Sequence, residues 1–155
     1  MAKAANIVTS HKVVINAPAR VVWEVLIDLD RYHEWNSFCP SIICSLQLGA
    51  PVHMQVRIPG TDGTVPVDEY LVACEPERLL SWEQRPVPGN MDAARRDQYI
   101  EALDANRCSY FTTDIFLGLN QDTIMREHGA WVKVGFDQMA LDLKRRAEEL
   151  HAGRT

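Results

Sequence analysis

Apolar residues recur at every second position from Ile7 to Ile15, placing Ile7, Thr9, His11, Val13 and Ile15 on one side of a predicted strand. Asn16-Ala17-Pro18 ends it. Pro18 suits the first turn of a helix, where a missing amide hydrogen costs nothing, and Val21, Val22, Val25, Leu26 and Leu29 follow at helical spacing as far as Asp30. A shorter helical turn over 31–35 and a loop over 36–40 come next. Strands are then predicted over 42–48, 52–58, 65–75, 79–85, 95–103 and 108–117, separated by turn residues such as Pro59-Gly60 and Asp104-Ala105-Asn106. The segment Pro86 to Ala94 reads as a long loop. From Asp122 to His151 the period is helical: Phe136, Met139, Ala140, Leu143, Ala147 and Leu150 form one apolar stripe, with Lys144, Arg145, Arg146, Glu148 and Glu149 on a solvated flank.

This order predicts an α+β domain: a seven-stranded curved antiparallel sheet wrapped around a long C-terminal helix, with two short helices after the first strand. A hollow left between such a sheet and its helix is the natural ligand site. At 155 residues and 46% hydrophobic content the chain fits one domain over 1–155. The formal charge of -5 leaves no basic surplus for a phosphate backbone or an anionic membrane, so no nucleic acid and no stable membrane insertion are expected. Met1 to Ser10 lacks the apolar run of a secretion signal, and the chain is read as cytoplasmic. Cys39, Cys44, Cys74 and Cys108 contain no CxxC pair and are expected as reduced thiols, Cys39 being a candidate reactive thiol in a loop. The five histidines are scattered without ligand spacing, so neither a metal nor another cofactor is expected.

The run from Val13 to Asp28, containing Asn16-Ala17-Pro18 and Val21-Val22-Trp23, resembles the opening of the SRPBCC superfamily, the START and Bet v 1-like helix-grip proteins. Tyr32, Trp35 and Asn36, the segment Glu75 to Trp82, Phe116-Leu117-Gly118, and Phe136 to Glu148 are similar to later parts of the same pattern. Polyketide cyclase/dehydrase-like members match best, although Asp114 stands where a glutamate is common and Gln98 where a histidine is frequent. The resemblance implies a pocket for a hydrophobic small molecule such as a lipid, polyketide or aromatic compound. An enzyme of this kind would be a cyclase- or dehydratase-like lyase or isomerase without a cofactor. The alternative is a lipid-binding chaperone or a protein-partner module using the sheet or helix surface. A homodimer is left open.

Strand parity selects candidate residues on the sheet, and the apolar stripe selects those on the long helix. His11 is either a hydrogen-bonded core residue or a general acid-base. Tyr70, on the parity of Val72 and Cys74, either fills the core or hydrogen-bonds a ligand carbonyl. Glu101 and Asp114 are candidate acids, because an apolar cavity favours the protonated carboxyl; the competing reading for each is solvent exposure. Met54, Val56, Trp82, Tyr99, Phe136, Met139 and Leu143 are candidate lining residues. For Trp35 the resemblance implies a place at the pocket entrance, against an alternative as an anchor of the short helices.

Overall fold

The computed structural model describes residues 5–154; residues 1–4, within the segment read as lacking a secretion signal, and residue 155 lie outside them. The first predicted strand divides into β1 (Ile7–Thr9) and β2 (Val13–Ile15). Both pair antiparallel with the last strand, but Ile7 lies opposite Ile115 and Val13 opposite Tyr110, a register slip of one residue. An extra residue between them forms a bulge and reverses parity. Val8 and Ser10 are buried before it, Val13 and Ile15 after it. His11 therefore emerges on the surface instead of sharing the inward face, and its Nε2 lies 3.2 Å from Asp137 Oδ2.

Pro18 precedes α1 (Ala19–Ile27), whose buried face carries Val21, Val22, Val25 and Leu26. A 3-10 helix (Leu29–Glu34) follows, fixed by the buried Tyr32 hydroxyl, which donates to the Leu26 carbonyl at 2.6 Å. The remaining strands are β3 (Ser41–Ile43), β4 (Pro51–Arg57), β5 (Thr64–Glu75), β6 (Leu79–Gln84), β7 (Ala93–Asp104) and β8 (Arg107–Leu117). β3 is shorter than the strand expected over 42–48, since Leu46 adopts a φ of +62° that no strand accommodates. The sheet order is β1-β8-β7-β6-β5-β4-β3 with β2 also on β8, so β1 and β2 share one edge and the sheet has the expected seven places.

The long helix α2 (Gln121–Ala152) lies across the concave face. Phe136, Met139, Ala140, Leu143 and Ala147 of its apolar stripe are buried. Beside its C-terminal half the core is filled by Ile15, Leu26, Leu71, Leu80 and Tyr110. All four cysteines are free thiols, and Cys39 is buried rather than exposed in its loop, its pKa pushed up to about 12 by burial; the expectation of a reactive Cys39 is corrected accordingly. Among the described residues no helix is long and apolar enough to cross a membrane.

Candidate functional site

One row of side chains crosses the concave face of the sheet. Leu71 lies opposite Trp82, Trp82 opposite Arg96, Arg96 opposite Asp114, and Asp114 opposite Val8. A second row runs Gln84, Ala94, Phe116. Opposite these rows the N-terminal half of α2 presents Ile124, His128, Trp131, Val132 and Phe136, and the two layers stand apart until Phe136 meets Arg96. Between them lies a cavity of about 320 Å³ that opens to solvent on one side.

Phe38, from the loop after the 3-10 helix, closes a third side. Three local features hold it there. Asn36 Oδ1 accepts hydrogen bonds from the Phe38 and Cys39 amides at 3.1 and 2.8 Å, shaping the loop. The buried Asp142 of α2 accepts the Ser37 amide and hydroxyl at 3.0 and 2.6 Å. The Phe38 ring lies where a Cβ on Gly135 would overlap it, so only glycine at that turn of α2 admits the ring. It meets Phe136 edge to face at 5.6 Å.

The polar part of the cavity is concentrated on the sheet. Arg96 is 5% exposed. Its Nε donates to Thr112 Oγ1 at 3.1 Å and its Nη2 contacts Met139 Sδ at 2.9 Å, while its guanidinium carbon lies 4.3 Å from the Phe136 ring centre and 5.6 Å from that of Trp82. The adjacent Arg95 points to the other face and pairs with Asp97 at 3.0 Å. Among the described residues no carboxylate lies within salt-bridge distance of Arg96.

Three carboxyl groups, of Glu69, Asp92 and Asp114, share the hollow with this cation, and burial shifts two of them. Burial pushes Asp114 up to about 7, with Arg96 opposing the shift and Asp97 adding to it. Burial pushes Glu69 of β5 up to about 8, the charge of Asp114 being the next contributor, and Glu69 Oε1 is shielded without a hydrogen-bond partner. Both groups therefore exchange protons near neutral pH, as a general acid or base must. At the mouth, Trp131 Nε1 donates to His128 Nδ1 at 3.0 Å and Asp92 accepts from Asn120 at 3.0 Å. Among the described residues no group of three or more His, Cys, Asp or Glu side chains is placed to hold a metal ion.

Of the candidate residues, Asp114, Met54, Val56, Trp82 and Phe136 line the cavity. Tyr70 does not. A bulge between Leu71 and Ala73 reverses the parity of β5, so Val67, Glu69 and Leu71 precede it on the inner face while Tyr70 lies outside against Arg85, 4.4 Å from ring centre to guanidinium carbon. Glu101 and Tyr99 share a face as expected, but it is the outer one: Tyr99 stacks on Phe111 at 4.8 Å and Glu101 is exposed, 3.8 Å from Lys12. Trp35 is buried edge-on to Tyr32 at 5.0 Å and anchors the short helices instead of flanking the cavity. Met139 lies beneath Arg96, and Leu143 belongs to the filled part of the core. Arg96, Glu69, Phe38 and Trp131 were not selected. Arg95-Arg96 carried a usable signal, since adjacent arginines on a strand must send one side chain inward; Phe38 and Trp131 depend on tertiary contacts that no local pattern records.

The family profile described as "Polyketide cyclase / dehydrase and lipid transport" matches residues 6–148, and the chain belongs to that family. Among solved structures, the Zhui aromatase/cyclase from Streptomyces sp. R1128 is similar over 92% of this chain and 93% of its own, with a TM-score of 0.73 and 20% identity. A Nitrosomonas europaea protein is similar over 97% and 99%, with a TM-score of 0.70 and 14% identity. A START superfamily protein from Mycobacterium smegmatis is similar over 93% and 98%, with a TM-score of 0.67 and 15% identity. At these identities the likeness establishes the helix-grip fold. A search of curated proteins finds no match to the chain.

Proposed function

We propose that this member of the polyketide cyclase/dehydrase and lipid transport family is a single ligand-binding domain that takes a flat, largely apolar molecule, aromatic or polyketide-like, between the sheet and α2. The observation that carries this reading is the hollow of about 320 Å³ with aromatic walls at Phe38, Trp82, Trp131 and Phe136. An apolar hollow with a few convergent polar groups is the usual form of a small-molecule site.

The same site supports cyclisation and dehydration of a poly-β-carbonyl guest. Ionised Asp114 accepts a proton from a methylene between two carbonyls, the resulting carbanion adds to another carbonyl of the same chain, and protonated Glu69 donates to the alkoxide that forms. Loss of water then completes the reaction, with no oxidant, reductant or cofactor required. Holding one folded conformer of the guest against these groups supplies much of the rate gain. The catalytic assignment thus rests on Asp114 and Glu69; His11, Tyr70 and Glu101 stand outside the cavity.

Fluorescence titration with the neutral probe N-phenyl-1-naphthylamine tests the binding reading. Ala94 lines the cavity at its narrow row, so Ala94→Phe plugs it without touching the outer surface. Saturable binding to the unaltered chain and at least a tenfold loss in A94F, with the circular dichroism spectrum unchanged, is the expected result. Equal binding by both proteins, or none by either, would overturn the assignment.

A further inference from the structure

We infer that the ligand is an anion: a planar aromatic molecule whose one ionised oxygen group, a carboxylate, phenolate or enolate, seats against the guanidinium of Arg96. This rests on the cavity-binding reading above and assigns the chemical class of its occupant.

Arg96 carries the argument. A guanidinium remains protonated at any pH a folded protein meets, and burying it without a counter-charge is costly. The groups in direct contact with this side chain are uncharged: the Thr112 hydroxyl, the Met139 thioether and, beside it, the Tyr110 hydroxyl, while Asp114 and Glu69 act on it only at longer range. A thioether is a weak acceptor and a poor use of an N–H donor. The rings of Phe136 and Trp82 stabilise the cation from the side but accept no directional charge. A planar five-donor group held this way and facing a hollow is suited to a bidentate oxyanion.

The other charged groups around the cavity favour the same guest. Glu69 faces it from β5, Asp114 from β8, Asp92 from the turn before β7, and His128 from α2. Asp92 is occupied at the mouth by Asn120. Behind the cavity, Tyr32, Cys39 and Tyr110 are held protonated by burial. Asp114 and Glu69, with values of about 7 and about 8, leave Arg96 uncompensated on the acidic side of neutrality and surround it with negative charge on the basic side. A carboxylate guest is therefore held more tightly as the pH falls, because an aromatic carboxylate stays fully ionised over this range, whereas a phenolate or enolate guest gains only where it remains ionised.

Calorimetric titration of the unaltered protein with 2-naphthoate and its neutral isostere 2-naphthamide decides the matter. At pH 6.5 the carboxylate is expected to bind at least tenfold more tightly, and this preference should shrink by pH 8.5. Arg96→Gln should abolish the preference, whereas Arg96→Lys should keep part of it and His128→Asn should keep the pH trend. Equal affinity for the two probes would overturn the anion assignment and leave the cavity reading standing. Binding of neither would overturn both. Should R96Q fail to fold, the comparison of the two probes on the unaltered protein still decides.

Discussion

Replacing Asp114 by asparagine separates the cost of a buried charge from the shape of the site. The carboxyl lies on the inner row between Arg96 and Val8, where burial moves it from its ordinary value of 3.8 to about 7. At about 1.4 kcal/mol per tenfold, holding the ionised form in the folded chain costs up to roughly 4 kcal/mol, which relaxation and water at the open mouth reduce to about 1–3 kcal/mol. The folded pKa is raised, so between about pH 4 and 7 the folded protein binds more protons at this site than the unfolded chain. Stability contributed by protonated Asp114 is thus complete below its unfolded value and is lost as the pH rises through the folded value. The carboxamide of Asp114→Asn has no charge to bury. Urea unfolding at pH 4, 6 and 8 should find the variant and the unaltered protein close together at pH 4, with the variant gaining about 1–3 kcal/mol relative to the unaltered protein by pH 8. A difference that stays constant across this range would refute the placement of Asp114 in a desolvated site.

Gly135→Ala should push the Phe38 ring toward the cavity, costing about 1–3 kcal/mol from overpacking and weakening the binding of naphthalene-sized probes; adding Phe38→Ala to the same chain should restore that binding. Asp142→Ala leaves the Ser37 amide and hydroxyl and Gln138 Nε2 without their acceptor, so a loss of about 2–3 kcal/mol is expected, together with faster amide exchange over 36–39 than elsewhere in the core. His11→Ala, Tyr70→Phe and Glu101→Gln alter side chains outside the cavity, and each should leave the affinity for N-phenyl-1-naphthylamine within about twofold; a tenfold loss in any one would contradict the inner and outer faces described for its strand.

Element order was readable because periodicity reports burial directly: the stripe from Phe136 to Ala147 and the alternation of Val52, Met54 and Val56 correspond to faces that are in fact buried. The site was less readable because parity transmits information along a strand only until a bulge interrupts it. Extrapolating from Cys74 through the bulge near Val72 puts Tyr70 inside, the reverse of its position, and the bulge between Thr9 and Val13 does the same to His11. The face that Asp114 shares with Thr112 and Phe116 is legible because β8 runs without interruption from Cys108 through Tyr110, Thr112 and Asp114 to Phe116. For β7 the pattern of shared faces was right but its sense was not, since the inner positions Arg96 and Gln98 are polar while the outer position Tyr99 is aromatic. A polar inner face of this kind departs from the local rule at the very place where the cavity needs charge.

The four tryptophans allow the central claim to be read in one spectrum. Trp82 and Trp131 line the cavity, whereas Trp23 and Trp35 are buried with the short helices away from it. Titrating 15N-labelled protein with 2-naphthoate while following the indole N–H resonances should shift those of Trp82 and Trp131, with the signals of Trp23 and Trp35 staying within a linewidth. Equal movement of all four, or movement confined to Trp23 and Trp35, would place the ligand elsewhere and contradict the account.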